Sequence, residues 1–209
     1  MRPKRNNICY DNLTNLGIPK KFQEQSLNDF CDYDSAELKK LKQFLQKYID
    51  NLEYYYKNNV GLFLHGSNGV GKTMLASIIL KNAYIYRYTI RRCTYSEYIT
   101  EHTKLWSANS LYEKEYLEEY FYQKYKSVDF LVIEEIGKEI DTKLSLPILE
   151  DCLRYREDKG LVTIICTNLS ISILKEKYGE SIISLIQGNT IPIKIESIDR
   201  RKEFFGGIT

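Results

Sequence analysis

Histidine is scarce in this sequence, and the cysteines are not spaced as metal ligands usually are. The 209 residues include two histidines and five cysteines, and no two cysteines form a C-x-x-C pair. This spacing argues against a zinc site. The cysteines are scattered along the chain, which argues for a reducing compartment rather than a disulfide-bonded secreted protein.

Long apolar runs and a strong net charge are also missing. No run approaches the roughly 18 apolar residues of a membrane span, and the polar N-terminus does not resemble a signal peptide. The formal net charge is only +2, so the chain as a whole lacks the positive field that is typical of nucleic-acid-binding proteins. We therefore expect a cytoplasmic protein without a membrane partner.

The composition is that of a globular α/β domain. Hydrophobic residues make up 43% and charged residues 28% of the chain, which is ordinary for a single folded domain of this length. Residues 1–34 are polar apart from anchors such as Phe22 and Phe30, so we expect a short N-terminal extension packed on the core. Residues 35–209 are expected to form the main domain.

The most specific motif of the chain is a P-loop. Gly66, Gly71, Lys72 and Thr73 match G-x-x-x-x-G-K-[ST] without a deviation, and with Gly69 the glycines allow backbone N–H groups to turn towards one anion. Lys72 would reach the β- and γ-phosphates of ATP, and Thr73 would bind Mg²⁺. The predicted nucleotide-binding residues are Gly66, Ser67, Asn68, Gly69, Val70, Gly71, Lys72, Thr73 and Met74.

Strands and helices alternate along the rest of the chain. An apolar run at 60–64 predicts a buried strand before the P-loop, and residues 74–84 predict the helix after it. Further strands are predicted at 88–95, 130–133, 161–166 and 191–195, and further helices at 34–57 (with Asp34 and Glu37 as a capping box), 96–106, 111–125, 144–156, 171–178 and 181–187. This order predicts a parallel sheet with helices on both faces.

Two acids and an amide follow the predicted strands. Glu134 and Glu135 end the apolar run at 130–133, and Asn168 follows the run at 161–166. Ligands of open α/β sheets bind at the carboxyl ends of the strands. A P-loop enzyme needs one acid there for the Mg²⁺ shell and a second to orient the attacking water. Glu134 and Glu135 fit those two tasks.

Two other surface features have more than one interpretation. Tyr112, Tyr116 and Tyr120 recur every four residues, which indicates a packing stripe first and a stacking surface for bases second. Arg91 and Arg92 form a local basic cluster, which fits a solvated surface as well as a nucleic-acid contact.

Together these motifs resemble the AAA+ ATPases of the DnaC/DnaI helicase-loader and IstB transposition-helper group. The resemblance covers residues 17–201. Its marks are the GIPKKF segment at 17–22, the P-loop, the VIEEIG segment at 132–137, the Arg-Tyr-Arg segment at 154–156 and the TNLS segment at 167–170.

The resemblance implies roles for individual residues. The members of the group assemble around ATP and bind single-stranded DNA, and the loaders open or hold a hexameric replicative helicase. A DNA-facing element follows the second strand, which points to Arg91 and Arg92. The remaining implied roles are Walker A for Lys72 and Thr73, Walker B for Glu134 (metal) and Glu135 (water), and sensor 1 for Asn168. A sensor-2-like arginine in a reduced C-terminal lid is implied for Arg201, with Arg200 as the alternative.

Three features of the sequence depart from the pattern of the group. Glu134 stands where the group usually has Asp. Loaders of the group usually carry an N-terminal helicase-binding domain, whereas 16 residues precede Gly17 here, so we expect the helicase contact to be made by this short basic segment or to be absent. The GER…SRL box, which presents an arginine finger to the neighbouring subunit, has Ser181 and Leu185 at its arginine positions. A finger accelerates related reactions by about 10³ to 10⁵. We therefore expect weak ATP hydrolysis by the isolated protein. Either Arg154 or Arg156 would substitute in trans, or a partner protein would donate its own arginine.

Three functions remain open from the sequence. The first is an ATPase that acts as a replicative-helicase loader or accessory factor, of phage or mobile-element type, with ATP-dependent self-association and a possible contact to single-stranded DNA. The second is a transposition-helper ATPase. The third is a regulatory ATP-binding module that docks on a host helicase loader or helicase with little turnover.

Overall fold

The computed structural model describes residues 2, 4, 10–31, 35–139 and 143–199. In these residues five strands form one sheet: β1 (Gly61–His65), β2 (Ile90–Thr94), β3 (Phe130–Glu134), β4 (Val162–Thr167) and β5 (Thr190–Lys194). The α-helices of the same residues are α1 (Tyr10–Asn15), α2 (Lys20–Gln23), α3 (Ala36–Asp50), α4 (Leu52–Lys57), α5 (Lys72–Ile85), α6 (Tyr95–Thr103), α7 (Leu111–Phe121), α8 (Ser145–Asp158) and α9 (Ile171–Asn189).

The strands lie in the order β2-β3-β4-β1-β5, and every pairing is parallel. All residues of β3 and β4 are buried, because a parallel sheet is covered on both faces by its crossover helices. Alternate residues of β1 feed the two cores: Leu62 and Leu64 face the cluster that includes α3 and α5, whereas Phe63 faces the cluster of α8 and α9. The predicted fold class is confirmed.

The N-terminal segment covers the free edge of strand β2. The backbone N–H of Arg92 donates to the carbonyl of Leu16 at 2.9 Å, and Gly17 lies so close that a Cβ would stand 2.1 Å from the Arg92 carbonyl oxygen. Leu13, Ile18 and Phe30 are buried in the core. An edge strand that is covered in this way is protected from pairing with another chain.

The structure corrects the predicted helix at 34–57 in two places, its N-cap and its continuity. Its N-cap is Ser35, whose hydroxyl accepts from the N–H of Leu38 at 3.3 Å; Asp34 lies outside the described residues. The helix then breaks at Asn51 into α3 and α4. The Asn51 amide donates to the Lys47 carbonyl at 2.8 Å, which competes with continuation of the helix. The break predicted at Gly179 is confirmed, since its φ of 81° is not helical.

The tyrosine stripe of α7 faces away from the core. Tyr112, Tyr116 and Tyr120 are 81%, 62% and 44% exposed, whereas Phe121 on the opposite side of the helix is 3% exposed. The interpretation as a packing stripe is therefore wrong, because the same spacing describes either side of a helix.

Over the described part of the chain, no helix combines the length and the apolar character that a bilayer crossing requires.

Candidate nucleotide-binding site

The P-loop connects strand β1 to helix α5 through glycines in the left-handed region. Gly66, Gly69 and Gly71 have φ angles of 152°, 82° and 104°. Residues with a Cβ rarely adopt such positive φ angles. A Cβ at Gly66 would also stand 2.3 Å from the Ile195 carbonyl oxygen. Gly71 is the N-cap of α5, so the loop delivers the N-terminus of a 14-residue helix to the site. Such a terminus favours an anion such as phosphate.

Lys72 curls back over this loop. Its ammonium donates to the carbonyl oxygens of Gly66 and Ser67, each at 2.7 Å. Carbonyl oxygens are weaker partners for an ammonium than phosphate oxygens, because hydrogen bonds between two charged groups are stronger. The glycine loop, the helix N-terminus and Lys72 therefore form a cradle that fits the phosphates of a nucleotide.

Glu134 lies at the carboxyl end of β3 and is 3% exposed. Its Oε2 accepts from the Arg92 guanidinium, which also donates to the Gly17 carbonyl at 3.0 Å. The other carboxylate oxygen is buried and has no hydrogen-bond partner in the described residues. This orphaned oxygen and the Thr73 hydroxyl are of the ligand type that Mg²⁺ prefers, so the residues present fit this metal.

Glu135 leaves the strand in a different direction. Its φ of 61° is in the left-handed region, which is uncommon for a residue with a side chain and is found at functional turns. Its carboxylate is half exposed and pairs with Lys138 at 3.0 Å, while its N–H donates to the Cys166 carbonyl at 2.9 Å. The two adjacent acids thus occupy distinct environments, one buried and one accessible to water.

Asn168 follows strand β4, which lies between β3 and β1 in the sheet. Its Oδ1 is buried without a hydrogen-bond partner in the described residues. The neighbouring Thr167 hydroxyl donates to the Ile136 carbonyl at 2.7 Å and ties this strand end to the loop of the acids. The P-loop, Glu134 and Asn168 thus follow three adjacent parallel strands at one edge of the sheet.

The pKa of a nearby cysteine reflects the same charges. Burial raises the pKa of the Cys166 thiol well above its usual value, and the Glu134 carboxylate raises it further. The positive charges of Lys72 and Arg92 act in the opposite direction. The charges of Lys72 in the P-loop and of Glu134 on β3 therefore both act on the pKa of Cys166.

Solved structures of replication proteins share this architecture. The crystal structure of the DnaC helicase loader matches with a TM-score of 0.72 and 21% identity, over 85% of this chain and 100% of that chain. The crystal structure of DnaI matches with a TM-score of 0.63 and 24% identity, over 87% of this chain and 96% of that chain. The chain therefore shares its fold with these two structures.

A structure of the protein DnaA has the same fold. The structure of AMPPCP-bound DnaA from Aquifex aeolicus matches with a TM-score of 0.68 and 16% identity, and this chain spans 55% of its length. No family model matches the sequence, and no curated protein matches it either. The comparisons therefore establish the fold through structure alone.

One of the two predicted trans arginines is not placed to reach a neighbouring subunit. Arg156 is fully buried, and its guanidinium donates to the Thr163 hydroxyl at 2.9 Å and the Val128 carbonyl at 3.0 Å. Burial lowers its pKa to about 10. The prediction is wrong for Arg156, because its hydrogen bonds hold it inside the core. Arg154 is exposed and donates to Glu150 at 2.8 Å and to the Ser181 hydroxyl at 3.0 Å.

The predicted DNA-contact residues bind their own N-terminal segment. Arg91 donates to the Asn15 carbonyl and lies 5.2 Å from the centre of the Tyr125 ring. Arg92 holds Gly17 and Glu134, as described above. A DNA contact at these two arginines stays a prediction. Arg200 and Arg201 lie outside the described residues.

Two features of the site were missed by the sequence analysis. Glu139 is buried and accepts from the Gly137 N–H at 2.8 Å, from Lys177 at 3.1 Å and from the Tyr178 hydroxyl. Asp199 lies against the P-loop, where a Cβ on Gly69 would stand 1.8 Å from its Oδ1. The contacts of Glu139 with Lys177 and Tyr178 and the contact of Asp199 with the P-loop have no local sequence signal, because the partners lie far apart in the chain.

Proposed function

We propose that this protein is a cytoplasmic AAA+ ATPase that binds MgATP at the P-loop and acts on a replicative helicase or on its host loader. The observation that carries the proposal is the meeting of a complete phosphate cradle, a buried acid with an orphaned oxygen and an exposed acid at one edge of the sheet. The AMPPCP bound to DnaA supports a nucleotide in this fold. We retain residues 35–209 as the ATPase domain.

The residues would divide the chemistry among themselves. MgATP supplies the γ-phosphoryl group and the metal charge. Lys72 would exchange its two loop carbonyls for the β- and γ-phosphates, and Glu134 and Thr73 would hold the metal. Glu135 would leave Lys138 and orient the attacking water. The Asn168 amide, whose oxygen has no hydrogen-bond partner among the described residues, would help to fix that water.

The two acids can be tested separately. Glu135→Gln should keep MgATP bound and abolish turnover, because the amide cannot take up a proton from water. Glu134→Gln should weaken the Mg²⁺ dependence of nucleotide binding, because a neutral amide is a poor metal ligand. The opposite assignment of the two phenotypes in calorimetry and turnover assays would exchange the roles.

Copurification tests the proposed partner. A tagged protein from its native cell should retain a replicative helicase or a helicase loader in the presence of MgATP. The Lys72→Ala variant is the control, since it should lose an ATP-dependent partner. Retention of a transposase instead of replication proteins would contradict the loader proposal. DNA binding is also proposed, because a DnaA structure of this fold holds single-stranded DNA.

A regulatory module with little turnover is the second candidate. The arginine-finger positions of the group are Ser181 and Leu185, and Leu185 is buried in the core. A subunit without a finger cannot neutralise the transition-state charge of its neighbour. ATP binding without turnover, even with helicase and loader present, would favour this candidate.

A further inference from the structure

The outward face of helix α7 is built from aromatic rings that nothing in the described residues covers. Tyr112 and Tyr116 are 81% and 62% exposed, and the neighbouring Trp106 and Leu111 are 57% and 73% exposed. The rings of Tyr116 and Tyr120 are stacked, with centroids 6.4 Å apart. Exposed aromatic rings in a row are costly in water and mark interaction surfaces.

The same face carries negative charge. Glu115 and Glu119 stand at i+3 and i+7 from Tyr112, so they alternate with the tyrosines along one side of the helix. In all, α7 contains four glutamates and one lysine. Glu113 is used internally, since it accepts from the Asn109 N–H at 2.7 Å, and Glu119 accepts from Gln123. The exposed face thus combines flat rings with carboxylates.

This combination selects its partner. Nucleic acid is disfavoured, because its phosphates would lie beside the carboxylates of Glu115 and Glu119. A purely apolar partner is disfavoured too, because it would bury those carboxylates without counter-charges. A guanidinium group satisfies both requirements, since it stacks on an aromatic ring and forms a bidentate pair with a carboxylate.

The protein itself shows that a cation binds to this row of rings. At the C-terminal end of the stripe, Lys124 lies 4.8 Å from the centre of the Tyr120 ring and donates to the Tyr120 hydroxyl at 2.8 Å. Lys124 also pairs with Glu101 at 3.4 Å. One ring, one carboxylate and one cation therefore already form the kind of contact that the rest of the stripe offers.

We propose that the outward face of α7, defined by Tyr112, Glu115, Tyr116 and Glu119, binds an arginine-rich helical segment of a partner protein. Arginines spaced by four residues would stack on Tyr112 and Tyr116 and pair with the two glutamates. The proposal is independent of the nucleotide site, because α7 contributes no residue to the P-loop or to the acid pair. It assigns a protein-docking role to a stripe whose spacing predicted packing first and a surface for bases second.

The test uses the full-length protein and short helical peptides with arginine, lysine or glutamate at i, i+4 spacing, together with an oligothymidylate. Binding is measured by fluorescence anisotropy. We expect the arginine peptide to bind and the lysine peptide to bind more weakly. The double variants Tyr112→Ala/Tyr116→Ala and Glu115→Gln/Glu119→Gln should each lose about tenfold in affinity for the arginine peptide.

The chain offers matched controls outside this face. Tyr54 on α4 is 63% exposed, close to the 62% of Tyr116, and the side chain of Glu180 on α9 is 81% exposed. Tyr54→Ala and Glu180→Gln should leave the affinity for the arginine peptide unchanged. MgATP binding, measured on the same samples, should be equal in all variants, so failure of the docking proposal and failure of the nucleotide site are distinguishable.

Four outcomes would overturn the proposal. The first is a wild-type protein that does not bind the arginine peptide, and the second is equal affinity of all variants for it. The third is oligothymidylate binding that falls in the tyrosine variant, which would make the stripe a surface for bases. The fourth is self-association in sedimentation that the tyrosine variant loses while peptide binding is unchanged, which would identify a second copy as the occupant.

Discussion

The ion pair between Arg92 and Glu134 joins the N-terminal segment to the acid of β3. Arg92 is the counter-ion of a carboxylate that is almost completely buried, and it also holds Gly17. A metal at Glu134 would share or replace this guanidinium, since both carry positive charge. Arg92 therefore connects the N-terminal segment directly to the site where the metal is proposed to bind.

Removal of Arg92 should cost more than removal of its neighbour. Arg92→Ala leaves the Glu134 carboxylate buried without a counter-charge, which is expected to destabilise the protein by about 3 kcal/mol. Arg91→Ala is the control, because Arg91 donates to a backbone carbonyl and not to a buried acid. The free energies of unfolding in urea measure both effects. Equal stability of the two variants would contradict the role of Arg92 as counter-ion.

At the scale of elements, the loop after β3 begins with residues 135–137, and each of these residues makes a backbone hydrogen bond. The Glu135 N–H, the Ile136 carbonyl and both backbone groups of Gly137 have partners on β4, on α9 or within the loop. Glu139 binds Lys177 and Tyr178 of α9 and so closes this network. We infer that this network keeps Glu135 in its left-handed conformation.

Loss of Glu139 should therefore lower turnover without weakening ATP binding. In Glu139→Ala the loop loses its anchor on α9, and Glu135 no longer holds one position for the attacking water, so kcat should fall about tenfold or more. The Kd for ATP should stay the same, because the P-loop is untouched. Glu176→Ala is the control, an exposed glutamate on the same helix. A parallel loss of kcat and ATP affinity would indicate a general structural defect instead.

The sequence was sufficient for the buried strands and insufficient for the long-range contacts. The predicted strands at 130–133 and 161–166 agree with β3 and β4 to within one residue, because parallel strands buried on both faces leave continuous apolar runs. The break at Asn51 coincides with a hydrogen bond from the Asn51 side chain to the Lys47 carbonyl, a contact that helix periodicity does not encode. The Arg92–Glu134 pair spans 42 residues, a separation at which periodicity carries no information.

At the scale of the whole molecule, the source of a trans arginine would decide how the proposed ATPase is regulated. Arg156 is excluded by burial, and Arg154 remains an exposed candidate that already touches Ser181, one of the two vacant finger positions. Turnover per subunit should therefore rise with protein concentration, and Arg154→Ala should remove this rise.

A control separates charge from packing in that experiment. Arg154→Lys keeps a positive charge but loses the planar fork that binds phosphate in two places, so it should restore only a part of the rate. Lys175→Ala, a change of an exposed cation on α9, should have no effect. Rapid hydrolysis that does not depend on concentration and survives Arg154→Ala would contradict a requirement for an arginine in trans.

The most direct test of the account is ATP binding by the folded protein, measured by calorimetry in the presence of Mg²⁺. Wild type should bind ATP, and Lys72→Ala should lose this binding because the ammonium that now caps Gly66 and Ser67 is the cation placed to neutralise the β- and γ-phosphates. Circular dichroism and urea unfolding should show that the variant stays folded. Unchanged ATP affinity in folded Lys72→Ala would contradict the assignment of the nucleotide site.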